Sequence, residues 1–91
     1  MEDERLDHLE RLGEEMTERG FLIRAVTPGT GPPYLRVANP IAPVLTDRVM
    51  CEHGADGQYW FWWPWAQRIA PVDDLEGAAE RVARVLAATN D

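Results

Sequence analysis

Tyr59-Trp60-Phe61-Trp62-Trp63-Pro64-Trp65 is the stretch on which the reading of this fold turns. It holds six aromatic residues in seven positions, including all four tryptophans of the 91-residue chain. Side chains alternate between the faces of a strand, so a strand here sends Tyr59, Phe61 and Trp63 one way and Trp60 and Trp62 the other. Both faces are then aromatic. A chain of this length can cover one sheet face with its own helices, which leaves the second for solvent or for a partner.

Working outward, Gly54-Ala55-Asp56-Gly57 supplies turn chemistry in front of the aromatic strand, and Leu45 or Asp47 to His53 forms the strand before it. The pair reads as a hairpin. Pro64 stops the ladder, with a short strand expected from Gln67 to Ala70. Upstream, Phe21 to Thr27 and Tyr34 to Ala38 read as strands. They are separated by the loop Pro28-Gly29-Thr30-Gly31-Pro32-Pro33 and closed by Asn39-Pro40-Ile41-Ala42-Pro43. Residues 4–19 carry Leu6, Leu9, Leu12 or Gly13, and Met16 at helical steps, with Gly20 as the stop. Asp73 as N-cap with Glu76 opens a second helix. Its apolar stripe is Leu75, Ala78, Ala79, Val82 and Leu86, and Glu80 and Arg84 lie one turn apart on its outer side. The expectation is one α+β domain over 1–91: a helix, a four- to five-stranded antiparallel meander and a second helix, with both helices on one face of the sheet.

A two- or four-residue turn at 54–57 sets Val49, Cys51 and His53 on the face of Trp60 and Trp62, and Arg48, Met50 and Glu52 on the face of Tyr59, Phe61 and Trp63. The charged set is the worse candidate for burial, so Val49, Cys51, Trp60 and Trp62 are expected under the helices. By the same polarity rule the open face is expected to carry Arg24, Arg36, Met50, Tyr59, Phe61 and Trp63. Arginine and aromatic residues are what protein interfaces enrich.

The formal net charge is -7, with eight acids against three arginines in residues 1–20 and three acids against four arginines in residues 21–70. An acidic chain is repelled by phosphate backbones, which argues against DNA or RNA as partners. The single cysteine, Cys51, excludes an internal disulfide and suits a reducing cytosol. Met1-Glu2-Asp3-Glu4 is acidic where a secretory signal is basic, and no apolar run approaches the ~20 residues of a membrane span. A cytoplasmic protein without a membrane partner is expected.

Reactive constellations are sparse. Cys51 and His53 share a face, with Asp56 near, but two ligands do not make a zinc site, and the other histidine, His8, lies on the first helix. No third group completes a cysteine nucleophile with His53 as base. Gly29-Thr30-Gly31 lacks the Gly-Lys-Ser/Thr ending of a phosphate loop and leads into a strand, not a helix. No catalytic, cofactor-binding or metal residue is assigned.

At Leu35-Arg36-Val37-Ala38-Asn39-Pro40, in the aromatic stretch, and at Arg68-Ile69-Ala70-Pro71 followed by Asp73-Asp74-Leu75, the chain resembles a group of small actinobacterial α+β proteins. The resemblance covers most of the chain. Its members often accompany helix-turn-helix regulators, which implies a regulatory or accessory role. Nine basic residues that are all arginine, and eleven alanines, fit the codon bias of a high-GC genome. The element order is also similar to secretion-chaperone-like and YbjN-like domains, many of which dimerise. Neither resemblance brings catalytic residues. The functional expectation is a non-enzymatic interaction or accessory domain that meets its own copy or another protein through the open sheet face. The alternative is a small binding module that stacks a planar small molecule, sugar or peptide on the same face.

Overall fold

The computed structural model describes residues 4–87, so the acidic Met1-Glu2-Asp3 lies outside the described residues. The elements are α1 (Glu4–Glu18), β1 (Leu22–Val26), β2 (Tyr34–Ala38), β3 (Thr46–His53), β4 (Tyr59–Trp62), β5 (Arg68–Pro71) and α2 (Leu75–Leu86). The strands form one antiparallel sheet in the order β1-β2-β3-β4-β5. The expected α+β order and the meander are both present.

Each helix is a strip of apolar residues with punctuation at its ends. α1 buries Leu9, Leu12, Gly13 and Met16. Gly13 lets the helix sit close to the sheet, because a Cβ there would come within 3.2 Å of Ile23 Cδ1 and 3.3 Å of Leu35 Cδ1. α1 stops in a Schellman motif, with Phe21 N–H donating to the Met16 carbonyl, Gly20 N–H to the Thr17 carbonyl, and Gly20 at φ +92°. α2 buries Ala78, Ala79, Val82 and Leu86. Its N-cap is Asp74 and not Asp73: the Asp74 carboxylate accepts from Gly77 N–H at 3.0 Å, while Asp73 accepts from Gln58 Nε2 at 3.3 Å. The Glu80–Arg84 pair forms at 2.9 Å.

Both helices share one core with one face of the sheet, made of Leu35, Val37, Val49, Cys51, Phe61, Trp63, Ile69 and Ala70. Ile69 and Ala70 are consecutive yet both buried. The register shifts between Phe61, opposite Ala70, and Trp62, opposite Arg68, so Ile69 is an extra residue in β5 and both side chains reach the helices. Asn39 closes the far end of the core. Its Nδ2 donates to the Leu86 carbonyl at 2.8 Å, and its Oδ1 accepts from the N–H groups of Ile41 and Ala42.

The two aromatic faces are exchanged relative to the sequence-based expectation. Cys51 pairs with Phe61 and His53 with Tyr59, so the odd-numbered residues of both strands share the helix side. The cause is the turn. Gly54 N–H donates to the Gln58 carbonyl, Gly57 N–H donates to the Gly54 carbonyl, and Gly57 takes φ +81°. That is a three-residue loop, a type I turn closed by a left-handed residue, and an odd loop reverses the parity that two- or four-residue loops impose. Phe61 and Trp63 are therefore core residues, 0% and 5% exposed, and Trp60 and Trp62 lie on the uncovered side.

Candidate functional site

The uncovered face is built from the even-numbered residues of β1 to β4 together with Arg68, and its register sets them in rows across the strands. One row is Arg24, Arg36 and Arg48, directly opposite one another on β1, β2 and β3. The next is Val26, Tyr34, Met50, Trp62 and Arg68, and a third is Glu52, Trp60 and Pro71. Glu52 is the acid among these strand residues; the acidic excess of the described chain sits on the helices and turns.

Opposed like charges on adjacent strands disfavour the fold, so the arginine row persists at some cost in stability. One contact offsets part of it: Arg48 lies over the Tyr34 ring at 5.5 Å. Outside that row, Arg68 lies over the Trp60 ring at 4.7 Å. Trp62 is held in place by its Nε1, which donates to the Glu52 carbonyl at 3.2 Å. Glu52 is also reached by Arg5 of α1 at 3.2 Å, where β2 has ended and leaves the last residues of β3 without a neighbour on that side. Tyr34, Met50, Trp60 and Trp62 are each half-buried, so their side chains present a fixed surface.

Of the six residues expected to form a contact surface, Arg24, Arg36 and Met50 lie on this face. Phe61 and Trp63 lie beneath the sheet, as the turn length requires. Tyr59 is on the helix side too, half-buried, stacked on His53 with ring centroids 4.0 Å apart and tilted against His8 at 5.3 Å. Sequence reasoning missed Tyr34, Trp60, Trp62 and Arg68; it set Arg48 on the open face without counting it among the contact residues. The signal that could have found the tryptophans was Gly57 in the third position of a three-residue loop.

Beside Trp62 the face dips into a hollow of about 280 Å³ lined by Met50, Glu52, Trp62, Trp63, Pro64 and Ala66. Its floor is the β4–β5 turn, which repeats the geometry of the β3–β4 turn. Ala66 N–H donates to the Trp63 carbonyl, Trp63 N–H donates to the Gln67 carbonyl, and Ala66 holds the left-handed position at φ +67°. Away from this face, Cys51 is wholly buried, and no group of three His, Cys, Asp or Glu residues is arranged to hold a metal ion among the described residues. No helix among them is long and apolar enough to cross a membrane. Comparison with known proteins gave no match, whether to a family model, a curated protein or a solved structure.

Proposed function

We propose that the chain is a protein-interaction domain that pairs with a second copy of itself through the uncovered sheet face. The observation that carries this reading is the order Arg48, Met50, Glu52 along β3, with Tyr34 and Trp62 flanking Met50 on the neighbouring strands. Residues two apart on a strand are separated by about 7 Å. A two-fold axis that passes through Met50 and runs across the strands therefore sets each copy's Arg48 over the other's Glu52. Tyr34, Met50 and Trp62 lie along that axis and meet their own counterparts. The face is self-complementary, as a two-fold interface must be, and arginine is not opposed to arginine. Arg24 and Arg36 fall toward the rim, where their charge stays hydrated. The face offers packing area and charge rather than reactive groups, so the role is binding and not catalysis.

Light scattering on a sizing column at ~100 μM tests this. The dimer is expected for the natural sequence and is lost in R48E and in E52R, while the double variant R48E/E52R regains it. A monomeric natural chain, or a dimer indifferent to R48E, overturns the proposal. The apolar hollow beside Trp62 favours a second reading, a planar small molecule or sugar ring stacked on that indole. A monomer whose tryptophan emission responds saturably to such ligands would support this second reading in place of the first.

A further inference from the structure

The two outer edges of the sheet are not alike. β5 is blunted: Pro71 has no N–H, the extra residue Ile69 interrupts the ladder, and the Arg81 guanidinium donates to the Ile69 carbonyl. β1, Leu22-Ile23-Arg24-Ala25-Val26, has no proline and no bulge, and no strand lies beyond it among the described residues. Leu22 is 60% exposed and Ile23 37%. An unprotected edge of five residues is a template for another strand.

On the helix side of that edge runs a groove of about 660 Å³. Ile23, Ala25 and Leu35 form its apolar floor, and Glu10, Glu14, Thr17 and Glu18 of α1 form its wall. The three glutamates are spaced four residues apart, so they make one stripe along the helix. None of them has an ion pair among the described residues. On the opposite side of the same edge stands Arg24, next to Arg36 and with no acid beside it in its row. The edge is thus anionic toward the helix and cationic toward the open face.

We propose that β1 accepts an extended segment of a partner protein as a sixth strand, and that the segment alternates accordingly. Its apolar and basic side chains point into the groove, and an acidic side chain between them faces Arg24. Added strands bond through the main chain while alternate side chains select for or against the segment, so this charge pattern is the specificity. A second copy of this chain is the wrong occupant. Pairing β1 with its twin about Arg24 opposes two arginines and brings two glutamate stripes together, both of which are repulsive. Nucleic acid is excluded by the same stripe. The proposal uses the β1 edge, which shares only Arg24 with the rim of the two-fold face, and stands or falls separately from the pairing about Met50.

Two capped heptapeptides test it on the full chain, followed by amide NMR. The probe is Lys-Thr-Val-Glu-Val-Thr-Lys, and the control reverses its charges as Glu-Thr-Val-Arg-Val-Thr-Glu. The probe is expected to bind saturably, with the largest shifts at residues 22–26 and along 10–18, and the control about tenfold more weakly. R24E removes an exposed arginine from a row of three, so it keeps the fold, and it weakens the probe about threefold or more. Four results overturn the proposal: no saturable binding up to about 1 mM, equal binding of both peptides, shifts centred on Tyr34, Met50 and Trp62, or β1 amides that shift with protein concentration alone in the R48E variant, whose two-fold face is disabled.

Discussion

Cys51 stands directly opposite Phe61 in the β3–β4 ladder, and neither side chain is exposed. Because neighbouring residues on a strand point to opposite faces, this one pairing decides which aromatics belong to the core. F61A should cost about 3–5 kcal/mol of stability, the usual range for removing a fully buried aromatic ring. W62A should keep the fold and abolish the proposed dimer, since Trp62 is half-buried and faces outward. Urea unfolding and light scattering on both variants check this. If W62A were the more destabilising of the two, the assignment of faces would be wrong.

The same pairing bears on the thiol. Cys51 is sealed between Phe61 and the helices, so reagents reach it only when the sheet opens. Alkylation by iodoacetamide should be slow in buffer and should accelerate in step with the urea unfolding transition. Rapid modification of the folded chain would contradict the packing and revive a nucleophilic role for Cys51.

Asn39 should prove an important polar residue for stability. It is 7% exposed, and its carboxamide ties the end of β2 and the following loop to the last turn of α2 through the Leu86 carbonyl. N39A leaves that carbonyl without its donor and should cost about 2–3 kcal/mol. N39D separates the two functions of the side chain. A carboxylate can still accept from the N–H groups of Ile41 and Ala42 but has nothing to donate to Leu86, so N39D should be no better than N39A in urea unfolding. Recovery of most of the stability by N39D would place the contribution in the loop instead.

Much of this architecture was legible because its signals are local. The α1 stripe at Leu9, Leu12 and Met16, the Gly20 stop, the Glu80–Arg84 pair and the strand limits set by Pro32, Pro33, Pro40 and Pro64 each depend on a few adjacent residues. The candidate site was half legible, and the reason is geometric. Arg24, Arg36 and Met50 follow from polarity within a strand, but choosing between Trp62 and Phe61 needs the turn length to the residue. The difference between a three- and a four-residue loop turns every side chain over. The Asn39–Leu86 and Arg5–Glu52 contacts join residues far apart in sequence, and no local pattern announces them. The Ile69 bulge left no mark in the sequence, since it is the packing of α2 that rewards two consecutive buried side chains.

The two hairpin turns differ in the residue at one shared position. Gly57 and Ala66 occupy the same left-handed position in hairpin loops of the same hydrogen-bond pattern, at φ +81° and +67°. Glycine enters that region freely, whereas a Cβ there crowds the following carbonyl at a cost of about 1–2 kcal/mol. Part of the gain on removing it is offset by the greater freedom of glycine in the unfolded chain. A66G should therefore stabilise the protein by about 0.5–1 kcal/mol, a rise in Tm of roughly 2–8 °C for a domain of this size. G57A should destabilise it by about 1 kcal/mol although a Cβ at Gly57 would meet nothing within 4 Å, because its cost is in the backbone and not in packing. Thermal unfolding of the two variants is the check. An A66G chain less stable than the natural one would mean that the Ala66 methyl, which lines the hollow beside Trp62, contributes more by packing than its backbone strain costs.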